Sequence, residues 1–352
     1  MKRIFLLFFI AMLVAVLFGC QKTPTATVPP TTVPVTTVPP TTAAPLPTGW
    51  VQKDGKTYYY SEQHSMVTGW HTIDGKKYYF TPDGAMATGW TEVDGQNRYF
   101  TEEGLTPSGW LELDSKKYYF DAEGLPLTGW QEIDDASRYF TESGALAAGQ
   151  VEVDGIVRWF GSDGTEVMLV NPWNPMPEGH TPETMVVEGW WWKSSVVCHD
   201  ALQEMLQGCR DAGLTPYIAS AYRTHADQVW LFNRKVNQYL SAGYSQADAT
   251  RLAGTIVAVP GTSEHELGLA FDLVDDSYRN LDEAQENTAV QKWLMENSWR
   301  YGFILRYPNE KSEITGIIYE PWHYRYVGKT VAKEIYDSGL CLEEYMEMLT
   351  EG

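Results

Sequence analysis

Two histidines and an aspartate in the last third of this 352-residue chain have the side-chain types that a catalytic metal needs. His265 ends the turn Pro260-Gly261-Thr262-Ser263-Glu264, and Asp272 follows it in Gly268-Leu269-Ala270-Phe271-Asp272. His323 lies in Tyr319-Glu320-Pro321-Trp322-His323-Tyr324-Arg325-Tyr326-Val327-Gly328. Two imidazoles and one carboxylate are the minimal ligand set of a catalytic zinc, which keeps its fourth position for water. Zn2+ draws the pKa of that water toward neutrality, and a carboxylate that is not a ligand can accept its proton during attack on a peptide carbonyl. Glu320 suits that role. Glu264 and Glu266 flank His265 and compete for it, although in extended geometry their side chains alternate away from His265. Spacing alone leaves the metal open, because a histidine in a turn beside a strand is more often a surface or satisfied core residue.

These residues need a frame. After Val170 the pattern is that of mixed helix and strand: 195–212 has helical texture, 216–221 reads as a strand, and 226–240 and 245–257 read as two further helices. Residues 269–274 form a buried-strand pattern carrying Asp272. His265 and Asp272 face one point only if the chain passes from turn to strand, which the Pro/Gly-rich turn permits. His225 reads as a surface residue at a helix start, His199 as a packing or surface residue, and Trp322 and Tyr324 as pocket walls.

Three ordered motifs carry a resemblance. Ser220-Ala221-Tyr222-Arg223 with Gln228, then Pro-Gly-Thr-Ser-Glu-His with Gly-Leu-Ala-Phe-Asp, then Glu-Pro-Trp-His-Tyr-Arg-Tyr-Val-Gly resemble the VanY-type D-alanyl-D-alanine carboxypeptidases, across about 171–348. The resemblance implies an α+β zinc peptidase with His265, Asp272 and His323 on Zn2+ and Glu320 as general base. It implies Arg223 as the group that stabilises the oxyanion or holds the substrate carboxylate, a job suited to its fixed fork of donors. Gln228 and Ser263 match positions associated with substrate contacts. The implied reaction is removal of the C-terminal D-alanine from peptidoglycan stem peptides. L,D-carboxypeptidase and endopeptidase specificities stay open, as does a non-enzymatic wall-binding lipoprotein.

A strict repeat precedes this region. Trp50, Trp70, Trp90, Trp110 and Trp130 recur every twenty residues, and Tyr60, Phe80, Phe100, Phe120 or Phe140 follows each by ten. Asp54-Gly55, Asp74-Gly75 and Asp94-Gly95 fall between, so each unit reads as strand, tight turn, strand. A lone hairpin is marginal in water, so successive hairpins must stack their aromatics into a β-hairpin solenoid. Gln150 and Trp159 break the pattern where the last unit meets a different neighbour. Units such as Thr68-Gly69-Trp70-His71-Thr72-Ile73-Asp74-Gly75 resemble choline-binding and clostridial-toxin-like cell-wall-binding repeats. Choline-binding members usually carry a Trp three residues before the last aromatic of the second strand. Those positions here are Thr57, Lys77, Asn97, Lys117 and Ser137, which favours cell-wall carbohydrate or teichoic acid on the Trp and Tyr platforms over choline.

The N-terminus starts Met1-Lys2-Arg3 and continues apolar from Ile4 to Phe18, the form of a secretory signal. It ends in Leu17-Phe18-Gly19-Cys20, which resembles a bacterial lipobox and implies a lipid on Cys20 that holds an exported protein to the membrane. A Thr/Pro-rich stretch follows that cannot bury enough surface to order itself. The expected organisation is thus a signal and lipobox over 1–20, a linker over 21–47, the repeats over 48–168 and the peptidase over 169–352. A net charge of -20 without clustered Lys and Arg argues against a phosphate-backbone partner, so no nucleic acid is expected. Cys198 and Cys209 lie in one helical stretch, roughly 16 Å apart at ~1.5 Å per residue, which is too far for a disulfide.

Overall fold

The structure is a computed structural model, and it describes residues 46–351. The expected signal, the expected lipobox with Cys20 and nearly all of the expected linker lie outside the described residues.

Each twenty-residue unit forms an antiparallel hairpin. They are β1 Gly49–Lys53 with β2 Lys56–Tyr60, β3 Gly69–Ile73 with β4 Lys76–Phe80, and β5 Gly89–Val93 with β6 Gln96–Phe100. They continue as β7 Gly109–Leu113 with β8 Lys116–Phe120, β9 Gly129–Ile133 with β10 Ala136–Phe140, and β11 Gly149–Val153 with β12 Ile156–Phe160. The turns need positive φ at both central residues. Asp54 at 51° and Gly55 at 75° supply it, and Asp114-Ser115 and Asp134-Asp135 adopt the same geometry without glycine. Phe80, Phe100, Phe120, Phe140 and Phe160 are all buried, whereas Trp50, Trp90, Trp110 and Trp130 stay partly exposed. The second-strand aromatic is therefore the core residue and the Trp the rim. Successive hairpins join through rings, as in Trp90 to Phe120 at 5.8 Å, and through backbone, as in Met86 N–H to the Thr57 carbonyl at 2.7 Å.

The C-terminal region begins with a small hairpin, β13 Thr184–Val186 and β14 Lys193–Ser195, followed by α1 His199–Asp211, β15 Pro216–Ser220, α2 His225–Ser241 and α3 Gln246–Gly254. Next come β16 Ala270–Asp275, α4 Ala289–Asn297, β17 Phe303–Leu305, the short α5 Ser312–Thr315, β18 His323–Tyr326, α6 Lys329–Ser338 and α7 Leu342–Glu351. Both helices expected after β15 are present, α2 one residue longer at each end and α3 shorter, and α2 starts on a full capping box made by Thr224 and Asp227. Helix α1 begins four residues later than its sequence texture, after a strand and a 3-10 turn. Cys198, Cys209 and Cys341 are free and buried.

The four strands run antiparallel in the order β15-β16-β18-β17. Side chains alternate across the sheet. Phe271, Leu273 and Tyr324 pack with Leu202, Met205 and Leu206 of α1 and Val290 and Leu294 of α4. Tyr324 thus belongs to this core and its hydroxyl donates to Gln291 at 3.0 Å, which corrects its reading as a pocket wall. The alternation that buries Tyr324 among helices turns His323 and Arg325 to the other face, beside Asp272.

The last repeat shares a core with the C-terminal region: Val167 and Leu169 pack with Ile304, Val331, Leu342 and Tyr345, and Trp159 lies against them. Gln150 N–H donates to Thr350 Oγ1 at 3.1 Å, and a Cβ on Gly149 would stand 2.7 Å from the backbone of α7. The departures from the repeat pattern at Gln150 and Trp159 sit at this joint.

Candidate functional site

Asp272 and His323 are register partners on β16 and β18, so pairing alone puts both side chains on one face. His265 arrives from a 3-10 turn, Glu264–Leu267, which ends on Gly268 in the left-handed conformation at φ 68° and so redirects the chain into β16. One ligand atom each from His265, Asp272 and His323 lies within 4.8 Å of the others, and all three residues are buried. His265 Nε2 is 3.4 Å and His323 Nδ1 3.2 Å from Asp272 Oδ1.

The donor chemistry fits a cation. His265 Nδ1–H donates to the Ala221 carbonyl at 2.8 Å, which leaves the Nε2 lone pair facing the cluster. Asp272 Oδ2 is taken by Arg223 Nη2 at 2.9 Å, while buried Asp272 Oδ1 has no hydrogen-bond donor. Such an atom is costly unless something positive meets it. Burial, with Arg223 adding to it, lowers His265 to about 4 and keeps the imidazole neutral, as a ligand must be. Burial also acts to lower His323, but the Asp272 and Glu264 carboxylates outweigh it and raise that group to about 9. A cation at the cluster would take the place of that proton.

Glu320 reaches the same point without belonging to the ligand trio, with Oε2 3.5 Å from His323 Nδ1. Burial pushes its carboxyl up to about 8, and Asp272 adds to the rise while His323 opposes it. A divalent charge nearby would draw the value down again. Arg223 anchors to Ser220 Oγ through Nε at 2.9 Å and to Gln228 Oε1 through Nη1 at 3.3 Å. Gln228 is fully buried, and its other end donates to the Ala258 carbonyl at 2.7 Å. Its amide therefore holds Arg223 in place. Ser263 is buried two residues before His265, and its carbonyl accepts from Glu266 N–H.

The turn conformation corrects the extended geometry expected around His265. Glu266 goes to the loop, accepting from Gly261 N–H at 2.8 Å and pairing with exposed His225 at 2.8 Å. Glu264 goes inward, to Arg306 at 2.8 Å and Arg325 at 2.7 Å. His199 is buried and bonded to Ser194 Oγ at 2.9 Å. Trp322 is buried, next to His323 in the chain, and Tyr307, which sequence reading missed, sets its ring 4.7 Å from that of His323 at an angle of 50°. Arg306 was missed as well; its signal is a lone charge in the apolar run Phe303-Ile304-Leu305-Arg306-Tyr307.

The repeat junctions have two chemistries. Trp50 meets Tyr59 and Tyr78, and Trp90 meets Tyr99 and Tyr118, with ring centroids 5.0–5.3 Å apart. At Trp70, Trp110 and Trp130 the second Tyr is replaced by Arg98, Arg138 or Arg158, each guanidinium 5.7–5.9 Å from the indole. Lys77 adds a second cation over Trp70 at 4.4 Å. Arg98 and Arg138 also donate to the carbonyls of Glu123 and Asp163, across the junction. A cleft of about 340 Å³ beside Trp110 is lined by Glu112, Lys117, Asp134, Arg138 and Asp163.

Comparison with known proteins places two kinds of sequence in this chain. Residues 194–329 match the D-alanyl-D-alanine carboxypeptidase family VanY. Residues 67–106 and 107–150 match a choline-binding repeat, and 48–62 a putative cell wall binding repeat. A D-alanyl-D-alanine carboxypeptidase of Enterococcus faecalis is 44% identical over 180 residues, which are 51% of this chain and 65% of that one. The chain thus spans less than two thirds of that relative's length. A bifunctional D-Ala-D-Ala dipeptidase and carboxypeptidase, VanXYC of Enterococcus gallinarum, is 31% identical over 53% of this chain and 95% of its own. A solved structure of a mutant vancomycin resistance D,D-pentapeptidase VanY in complex with Zn(II) is 44% identical, covers 51% of this chain and 97% of its own, and superposes with a TM-score of 0.46.

Proposed function

Because the chain belongs to the VanY family of D-alanyl-D-alanine carboxypeptidases, we propose that it is a zinc-dependent D,D-carboxypeptidase that removes the C-terminal D-alanine from peptidoglycan stem peptides. The observation that carries this reading is the cluster of His265 Nε2, Asp272 Oδ1 and His323 Nδ1 with Glu320, a non-ligand carboxylate, at its edge. A zinc ion on those three residues supplies a Lewis acid for the scissile carbonyl and acidifies water at the site. Glu320 accepts the proton of the attacking water and delivers it to the departing D-alanine amine. Arg223, held by Ser220, Gln228 and Asp272, presents a fixed positive fork to the oxyanion or to the substrate's terminal carboxylate. Ser263 and Gln228 line or brace the substrate side.

In this reading the repeats hold the enzyme at the cell wall, with wall carbohydrate or teichoic acid on the Trp platforms. Three of the five Trp faces already carry a cationic side chain of the protein itself, which supports a wall polymer over choline at those junctions. Export and a lipid on Cys20 complete the reading, placing the enzyme on the outer face of the membrane.

The test is D-alanine release from stem peptides by the purified chain. Release from a pentapeptide ending in D-Ala-D-Ala, lost to a chelator and restored by Zn2+, is expected. Release from the tetrapeptide alone would reassign the specificity to L,D-carboxypeptidase, and cleavage of crosslinks alone to endopeptidase. Activity undiminished after zinc removal would sink the mechanism.

A further inference from the structure

Arg306 and Arg325 are both buried completely, where a guanidinium is expensive unless every charge is met. Glu264 Oε1 accepts from Arg306 Nε at 2.8 Å and from Arg325 Nη1 at 2.7 Å. The two terminal nitrogens of Arg306 fork onto Glu343 of α7 at 2.8 and 2.6 Å, and Asn171 donates to the same carboxylate at 3.0 Å. Arg325 spends its remaining donors on the carbonyls of Tyr326 at 2.9 Å and Met168 at 2.8 Å. Two cations and two anions balance.

One carboxylate oxygen is left over. Glu264 Oε2 is buried with no hydrogen bond, and so is His323 Nε2; the two face each other at 3.8 Å. The opposite ring nitrogen, Nδ1, points at Asp272 Oδ1. With a cation in place of the proton on Nδ1, the imidazole would keep its N–H side toward Glu264 and turn its lone pair to the cluster, the reverse of His265, whose Nδ1–H is held by the Ala221 carbonyl.

We propose that Glu264 is a positioning residue for the metal site: clamped by Arg306 and Arg325, its charged Oε2 faces His323 Nε2 across 3.8 Å and favours the proton on that nitrogen, which leaves Nδ1 for the metal. This rests on the zinc reading above and extends it outward. Through Arg306 and Glu343 the clamp reaches α7, whose far end receives the Gln150 N–H of the last repeat, and through Arg325 it reaches Met168, between the repeats and the peptidase. A continuous chain of contacts thus runs from the wall-binding repeats to one metal ligand, and metal affinity depends on residues that touch neither metal nor substrate.

The experiment is zinc affinity of the full chain, by competition with a chromophoric chelator, together with the visible spectrum of the Co2+-loaded protein. Glu264→Gln keeps the shape and removes the charge. It is expected to weaken zinc about 10–100-fold, the usual cost of losing an outer-sphere partner, and to alter the Co2+ bands. Glu343→Gln is expected to weaken zinc by a smaller factor. Glu344→Gln, which removes the charge paired with Lys311 and keeps an amide oxygen for the Cys341 N–H, should leave both readouts unchanged. A folded Glu264→Gln with wild-type affinity and spectrum overturns the inference. If that variant does not fold, wild-type affinity in Glu343→Gln overturns it instead. Failure of the wild-type chain to bind zinc defeats the functional reading itself, a different result from binding that Glu264→Gln leaves unchanged.

Discussion

The two regions of this molecule solve the problem of specifying a structure in opposite ways. In the repeats every essential contact is made within twenty residues or with the next hairpin: the buried Phe of one unit meets the Trp of the unit before, and the turn geometry is set by two adjacent residues. In the peptidase the residues that matter come from separate elements, Arg223 after β15, His265 from a turn, Asp272 from β16, Glu320 and His323 around β18. Local specification gives redundancy, since one altered unit disturbs its neighbours alone. Non-local specification gives a site in which each member is singular.

Glu320→Ala should therefore have the largest effect. Removing a general base costs about 10²–10⁴-fold in turnover, and because Glu320 is outside the ligand trio the zinc content should not change. Equal turnover in the variant would remove Glu320 from the base role. The pH dependence sharpens the point. A base works only when ionised, so kcat/KM should fall as pH drops through the Glu320 pKa. Burial sets that group at about 8 and the charge of zinc opposes burial, so the acidic limb of the zinc enzyme should lie below 8.

Phe100→Ala comes next. Phe100 is fully buried between Trp70 and Tyr79, and truncating such a ring costs about 3–5 kcal/mol. The loss should appear in denaturant unfolding of the repeats, followed by tryptophan fluorescence, while turnover on a soluble pentapeptide stays at the wild-type rate. A parallel loss of turnover would show that the independence of the two regions is false even at mid-solenoid. The shared core at Val167 and Leu169 is where it should break down.

The same contrast explains what could be read from the sequence. Period, hairpins and turns of the repeats were legible because their causes are adjacent in the chain. Which aromatic is core was not, since Trp and Phe score alike until stacking buries Phe80 or Phe100 and leaves the Trp at the rim. In the peptidase the strand bearing Asp272 and the helices after β15 follow from pattern. The ion-pair network does not: Glu264 was read as extended and turned away, whereas the 3-10 turn sends it inward to Arg306, forty-two positions on, and Arg325. Charge partners at that separation leave no periodic trace. Arg306, alone in an apolar run, is a sign that a carboxylate must be buried with it, but not which one.

The smallest effect is expected at a turn. Hairpin β7/β8 turns on Asp114-Ser115, and Ser115 holds φ at 63° where the matching residues of four other units, Gly55, Gly75, Gly95 and Gly155, stand at 75–77°. An L-residue in the left-handed region costs roughly 1–2 kcal/mol, and glycine avoids that cost but adds about 0.5–1 kcal/mol of unfolded-chain freedom. Ser115→Gly should therefore stabilise the repeats by about 0.5 kcal/mol net, read as a rise of a few degrees at most in their melting temperature. Asp135→Gly should gain less, because a short polar side chain tolerates this conformation better than most. Neither should move the melting or the turnover of the peptidase. No gain at Ser115 would mean that its hydroxyl is compensated within the turn, and local backbone geometry would then be a weaker determinant of the repeats than the stacked rings.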